Sequence, residues 1–280
     1  MPIRFGLCQE LFGDRPWNEQ CRTMKELGYD GVEIAPFSFG ARVSEISAAQ
    51  RAAIRAEAEA ADLEVIGLHW LLAKTTGLHL TTSDQAIRQA TADYLRELAR
   101  CCADLGGKIL VLGSPAQRSL EEGMAIEQAT ANAIEVLRAV VAECGHRDVT
   151  IALEPLTPKE TDFMNTCAQA REIIEAVDDP HVRLHQDVKA MLGGESRPVP
   201  EVIREFAKET VHFHANDTNL LGPGMGETDY VPIFEALLAS GYDGYVSVEV
   251  FDYSPGPDNI ARISIETMRR ALDEARGARE

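Results

Sequence analysis

Eight short apolar runs, each followed by a longer amphipathic segment, set the strongest limit on what this 280-residue chain can fold into. The runs are IRFGLC (3–8), GVEIA (31–35), EVIGLHW (64–70), KILVLG (108–113), VTIALEP (149–155), VRLHQDV (182–188), TVHFHAN (210–216) and GYVSVEV (244–250). Their Val, Ile, Leu and aromatic content suits short strands buried on both faces of a parallel sheet. Between them lie helical patterns. Residues 15–28 close on Gly28, 44–63 open on Ser44 with Ser47 close behind, and 83–106 run from Ser83 as N-cap to Gly106. Residues 119–144, 165–177, 199–208, 230–240 and 257–276 continue the alternation. Strand then helix, eight times, predicts an α/β fold, a single (β/α)8 TIM barrel spanning residues 1–280 as one domain. A doubly wound open sheet is the competing topology. Against it, LCQELFGDRPW after the first strand holds neither G-x-G-x-x-G nor a Walker loop.

Composition narrows the function classes. With 45% hydrophobic residues and 13 prolines there is material for one large core. The formal net charge of −18 repels polyanions, so no nucleic-acid partner is expected. The start, MPIRFGLCQELFGDRPW, lacks the basic and apolar regions of a leader, and no apolar run approaches the ~18 residues of a membrane span. No membrane partner is expected. Six cysteines, at 8, 21, 101, 102, 144 and 167, form no C-x-x-C and read as reduced and buried, which implies a cytoplasmic location. Cys101 and Cys102 lie on an Ala/Leu-rich helix and read as packing.

In a barrel, alternate strand residues point inward and chemistry gathers at the C-terminal mouths. The last four strands each bring one metal-competent side chain there. Glu154 shares a face with Ala152, Asp187 with His185, His214 with His212, and Glu249 with Ser247. The intervening Leu153, Phe213 and Val248 face the helices; Gln186 is the polar exception. Three carboxylates and one imidazole make a hard, oxygen-rich set suited to Mn²⁺, Mg²⁺ or Co²⁺, with Zn²⁺ also admissible. Without a cation, joint burial of the three carboxylates would be costly. His212, roughly 6–7 Å lower on its strand, reads as support for a ligand or as barrel filling.

These residues resemble the xylose isomerase-like barrels of the sugar phosphate isomerase/epimerase superfamily, over nearly the whole chain. The likeness is strongest in IALEPLTPKETDF, LHQDVKAML, HFHANDTNLLGPGMGETDY and GYDGYVSVEVFDYSPG. In the ketose 3-epimerase branch the matching Glu, Asp, His and Glu hold one divalent metal, and the two glutamates serve as acid and base on opposite faces of the substrate. By position the resemblance implies metal binding by Glu154, Asp187, His214 and Glu249, with Glu154 and Glu249 catalytic. Glu160 matches a glutamate that bonds the substrate's reacting end; a solvated loop charge is the alternative. Two substrate contacts are missing. Ala190 stands where the epimerases carry a histidine, and Leu220 where they carry an arginine. His69, Glu33, Lys189 and His212 complete the substrate-side candidates; the alternatives are a water-bonded mouth histidine for His69, a salt bridge across the barrel top for Glu33 and pairing with a glutamate for Lys189, while for His212 the supporting or filling role is the favoured reading. Trp70 could wall the pocket, GPGMG could let backbone approach a ligand, and Arg118 is the one mouth arginine available to a phosphate.

The expected function is therefore a divalent-metal-dependent isomerase or epimerase acting on a ketose or related polyol ketone through an enediolate, with Mn²⁺ the expected ion and a small carbohydrate the partner. A lyase or dehydratase on a keto-sugar or keto-polyol is the runner-up. An apurinic endonuclease-like repair enzyme would need several more histidines, and a non-catalytic sugar binder has little use for two opposed carboxylates. Many barrels of this kind pair, which makes a homodimer the natural assembly.

Overall fold

The computed structural model of the protein describes residues 3–278. Eight strands, β1 (Arg4–Cys8), β2 (Gly31–Ile34), β3 (Glu64–Leu68), β4 (Ile109–Leu112), β5 (Thr150–Leu153), β6 (Val182–Asp187), β7 (Thr210–Ala215) and β8 (Tyr245–Val248), pair in parallel in chain order and close on themselves. β1 completes the circle against β8, with Gly6 opposite Ser247. Nine α-helices surround them among the described residues: α1 (Trp17–Leu27), α2 (Ala48–Ala60), α3 (Gln85–Leu105), α4 (Ile126–Arg147), α5 (Cys167–Val177), α6 (Val188–Gly194), α7 (Val199–Glu205), α8 (Val231–Ala239) and α9 (Pro257–Gly277). The fold is the expected single eight-stranded barrel. None of the helices is long and apolar enough to cross a membrane, among the described residues.

The apolar core lies between barrel and helix ring, where outward side chains such as Leu153, Phe213 and Val248 are essentially fully buried. All six cysteines are free and buried. Local chemistry fixes the helix ends, and here two readings are corrected. The second helix starts at Ala48, because Ser47 and Gln50 form a reciprocal capping box; Ser44 belongs to a separate 3-10 turn. The third is capped by Asp84, whose carboxylate accepts from the Ala86 and Ile87 amides, in place of Ser83. A carboxylate accepts both amides and suits the positive helix end. Ser83 instead bonds Glu121. An additional short helix, α6, begins directly on Asp187.

Strands β5 and β8 stop one residue before Glu154 and Glu249. The final rungs are long, with Glu154 N to Leu112 O at 3.3 Å and Glu249 N to Ala215 O at 3.4 Å, as the chain leaves the sheet. Both glutamates thus stand on the rim. Replacing Ser47 with alanine removes the capping box and should cost about 1 kcal/mol, a fall of roughly 2–4 °C in Tm by calorimetry.

Candidate active site

Register sets the depth of each polar side chain. Asp187 pairs with His214 across β6 and β7, His185 pairs with His212 two residues lower, and Ser247 faces His214 from β8. His214 occupies the centre and is fully buried. Its Nδ1 faces the mouth, 3.2 Å from Glu249 Oε2 and 3.9 Å from Glu154 Oε1. Its Nε2 faces inward, 3.1 and 3.2 Å from the two oxygens of Glu33. Glu33 also lies 2.6 Å from His212 Nε2. A carboxylate bonded to Nε2 fixes the ring so that Nδ1 is directed at the rim carboxylates, the arrangement by which metal-binding imidazoles are oriented.

Asp187 is held on both oxygens. Oδ1 accepts from the Ala190 amide at 2.7 Å, capping α6, and Oδ2 accepts from Asn216. Asn216 is itself fixed, receiving the Lys189 amide at 2.8 Å on its side-chain oxygen and the Tyr230 hydroxyl at 2.6 Å on its carbonyl. One ligand atom each from Glu154, His185, Asp187 and His214 fall within 4.8 Å of one another. Glu249 falls outside that group and in a second one with Cys8, Glu10 and His69; it touches the first through His214, and its other oxygen lies 3.2 Å from His69 Nδ1. The far nitrogen of His69 is 2.8 Å from Glu10. His185 has no partner on either ring nitrogen and lies 3.7 Å from Glu154.

Electrostatics divides the rim glutamates. Burial, with Glu249 and Asp187 nearby, pushes the Glu154 carboxyl up to about 8. Burial works the same way on Glu249, but His214 and His69 overcome it and hold that carboxyl below the usual range. Burial would lower the His214 imidazole, yet Glu33 and Glu249 keep it well above ordinary histidine. His185 is pushed well down by burial and by its imidazole neighbours, so it is neutral. Two carboxylates whose environments drive their protons apart can serve as an acid and base pair. The buried oxygens, together with a neutral imidazole lacking any partner, fit a divalent cation, which would relieve the like-charge repulsion.

A cavity of about 280 Å³ opens above this layer and is lined by His69, Glu154, Glu160 and Glu249 among others. The substrate-side candidates separate. His69 and Glu160 line the cavity, whereas Lys189 lies behind its wall, with Nζ 2.6 Å from Glu160 and 4.1 Å over the Phe251 ring. Glu33 and His212 sit beneath His214, fully buried, and do not line it. Arg118 does not line the cavity; it is buried with Nη1 2.7 Å from the Glu154 carbonyl, while its Nε and Nη2 have no hydrogen-bond partner. The glycines of GPGMG do not reach the cavity either. They make room for Ser264 and Thr267 of α9 and for Asp217. Leu220 is exposed in a turn at φ +70°.

Sequence reasoning missed four contributors: Glu10, His185, Asn216 and Gly113. Glu10 follows β1 at the mouth, so the barrel rule could have found it. Gly113 follows β4, and a Cβ there would sit 1.6 Å from Glu154 Oε2.

Residues 21–271 match the xylose isomerase-like TIM barrel family. The chain belongs to that family. It is 25% identical to 3-dehydro-D-guloside 4-epimerase of Escherichia coli (strain K12), over 95% of this chain and 99% of the relative. It is 27% identical to a probable ketose 3-epimerase of Synechocystis sp., over 90% and 85% of the two chains. Among solved structures, an L-ribulose 3-epimerase superposes with a TM-score of 0.85 at 20% identity, covering 99% of this chain and 97% of that one. The chain is an enzyme of the isomerase/epimerase class.

Substituting Gly113 with alanine forces the Glu154 carboxylate aside. Divalent-ion affinity should fall by roughly ten- to a hundredfold, read by titrating Mn²⁺ into the variant; unchanged affinity would show that Glu154 needs no such space.

Proposed function

We propose that the protein is a divalent-metal-dependent epimerase or isomerase of keto-sugars, with Glu154 and Glu249 as opposed acid and base. The observation that carries this reading is the pair itself. Two rim carboxylates, one just beyond β5 and one just beyond β8, line one cavity and both approach His214 Nδ1; in the ion-free protein burial and acidic neighbours raise the Glu154 carboxyl while His214 and His69 hold that of Glu249 down. Epimeric relatives acting on ketoses and a keto-guloside support the same class.

Glu154, Asp187, His214 and Glu249 would hold the ion; the first three cluster with His185, a further donor at the Glu154 side, and Glu249 adjoins them through His214. When bound, a divalent cation neutralises the carboxylate cluster and acts as a Lewis acid toward a carbonyl oxygen; Mn²⁺ suits this hard donor set. The protein's own groups do the proton work. One glutamate removes the proton from the carbon beside the carbonyl, and the C–H electron pair moves into an enediolate. The other returns a proton to the opposite face, restoring the carbonyl with inverted configuration at that carbon. His69 steadies Glu249 through Oε1, and Glu33 fixes the ring of His214. Glu160, held ionised by Lys189 and Thr157 against burial, lines the cavity as an acceptor for a substrate hydroxyl.

Candidate keto-sugars incubated with the Mn²⁺-loaded enzyme in D₂O should take up deuterium beside the carbonyl, seen by NMR. Glu154→Gln and Glu249→Gln should each lower turnover by at least about a hundredfold with the fold retained. Full activity in both variants sinks the acid/base assignment. A second outcome follows from the raised Glu154 carboxyl, which must shed its proton before it can ligate. Below a pKa of about 8 the folded, ion-free protein holds that proton, and above it does not. The number of protons released on Mn²⁺ binding should therefore fall by close to one between about pH 7 and about pH 9. Calorimetry in buffers of differing ionisation enthalpy measures it.

A further inference from the structure

We infer that the barrel mouth carries a second metal site beside the first, built from Cys8, Glu10 and His69 and closed by Glu249, with a sulfur ligand that selects Zn²⁺ where the first set suits Mn²⁺. Its donors come from the opposite side of the barrel, and Glu249 alone is common to both sites.

Topology brings the four together. Cys8 is the last residue of β1, Glu10 lies in the 3-10 turn Gln9–Phe12 that follows, and His69 comes directly after β3. In the closed ring β1 stands between β2 and β8, so Glu249, just beyond β8, reaches the same corner. One ligand atom from each of the four lies within 4.8 Å of all the others. Donors about 2.0–2.3 Å from Zn²⁺ stand roughly 3.4–3.8 Å apart in a tetrahedron, so side-chain movement of about an ångström closes the set.

The Glu10 carboxylate points to an ion. Its side chain is only 7% exposed, yet neither oxygen has a hydrogen-bond partner. His69 Nε2 stands 2.8 Å from Glu10 Oε2 but outside hydrogen-bond geometry, and is itself unpartnered. A buried carboxylate left in that state is costly. An imidazolium clamped between two acids would donate in line to both. Here only Nδ1 is in line, 3.2 Å from Glu249 Oε1. One carboxylate therefore fixes the ring while the other lies beside its far nitrogen, the way a metal-ligating histidine and its neighbouring ligand are held.

Cys8 supplies the selectivity. The other five cysteines lie on helices and pack into the apolar core; Cys8 lies on a strand and does not join that core. Its Sγ is 4.0 Å from His214 Nε2, among imidazoles and carboxylates. A thiol gains little from packing there, but as thiolate it is a soft donor, its proton passing to solvent as the metal binds. Thiolate, imidazole and carboxylate together favour Zn²⁺ or Co²⁺ over Mn²⁺, which prefers oxygen. Glu249 turns Oε2 to His214 and Oε1 to His69, so one carboxylate spans both sites.

The test uses the full chain stripped of metal by a chelator, loaded with Mn²⁺ and then titrated with Co²⁺ under an absorption spectrometer. Thiolate bound to Co²⁺ gives an intense near-ultraviolet charge-transfer band that oxygen and nitrogen donors do not. The band should grow to saturation and be erased by Zn²⁺. Cys8→Ser should abolish it, and Glu10→Gln should weaken Co²⁺ binding by at least about tenfold. Glu154→Gln, which disables the first set, should leave the band in place. Should Cys8→Ser fail to fold by circular dichroism, His69→Asn takes its place with the same tenfold expectation as Glu10→Gln. No band in the unaltered protein, a band that survives Cys8→Ser or resists Zn²⁺, unchanged Co²⁺ affinity in Glu10→Gln, or loss of the band in Glu154→Gln overturns the second site. Mn²⁺ uptake, followed by electron paramagnetic resonance, keeps the two sites apart. Uptake without a Co²⁺ band leaves the epimerase reading and removes this one; a Co²⁺ band without Mn²⁺ uptake does the reverse.

Discussion

The arrangement depends on how the barrel tolerates a concentration of buried acid around His214. Glu33, Glu154, Asp187 and Glu249 are all nearly inaccessible to water. Each would prefer protonation if burial acted alone. The protein answers with imidazoles placed between carboxylates. His214 lies between Glu33 and Glu249, and His69 between Glu10 and Glu249. The compensation is incomplete at Glu154, whose neighbours are chiefly other acids and which retains its proton near neutrality. That residual imbalance leaves the Glu154 carboxyl raised while its opposite, Glu249, is held down.

Each carboxylate and imidazole is also aimed. Asp187 gives one oxygen to the Ala190 amide and the other to Asn216, so it can swing little. The position where ketose 3-epimerases carry a substrate-contacting histidine here supplies its backbone N–H, and the cap needs no side chain. His214 is braced from below by Glu33, which has no route to the cavity. These supports come from β1, β2 and β3 as well as from the four strands that present the rim groups.

Much of this was legible before any coordinates. The eight apolar runs gave every strand within one or two residues, because burial on both faces leaves an unmistakable compositional mark. Strict alternation brought Glu154, Asp187, His214 and Glu249 to one end of the barrel. Depth was harder. The β2–β3 and β6–β7 pairings each shift register, between Val32 and Glu33 and between Leu184 and His185. The β2–β3 slip falls at Glu33 itself, which sits under His214, and such a slip has no signature in a linear string, whereas the depth of His212 follows from its place two residues before His214 on one strand. Gly113 was invisible for a related reason. Its role is an absence of atoms next to a glutamate forty-one positions later, which only the closed ring creates. Arg118 and the glycines of GPGMG were misjudged because a loop residue's direction follows from what its neighbours leave open.

The loops after β3 and β4 are stitched to each other. Leu80 N reaches Gln117 O at 2.7 Å, Thr81 Oγ1 reaches Arg118 O at 3.0 Å, and Asn132 clasps the carbonyls of Thr81 and Thr82 from α4. They form one panel, attached to the frame yet contributing none of the rim acids. The panel is also tied to the rim: His69 stands 3.2 Å from Glu249, Gly113 leaves room for the Glu154 carboxylate, and Arg118 meets the Glu154 carbonyl. A shift in how the two loops are stitched would therefore be felt at both glutamates, so panel and rim must change together.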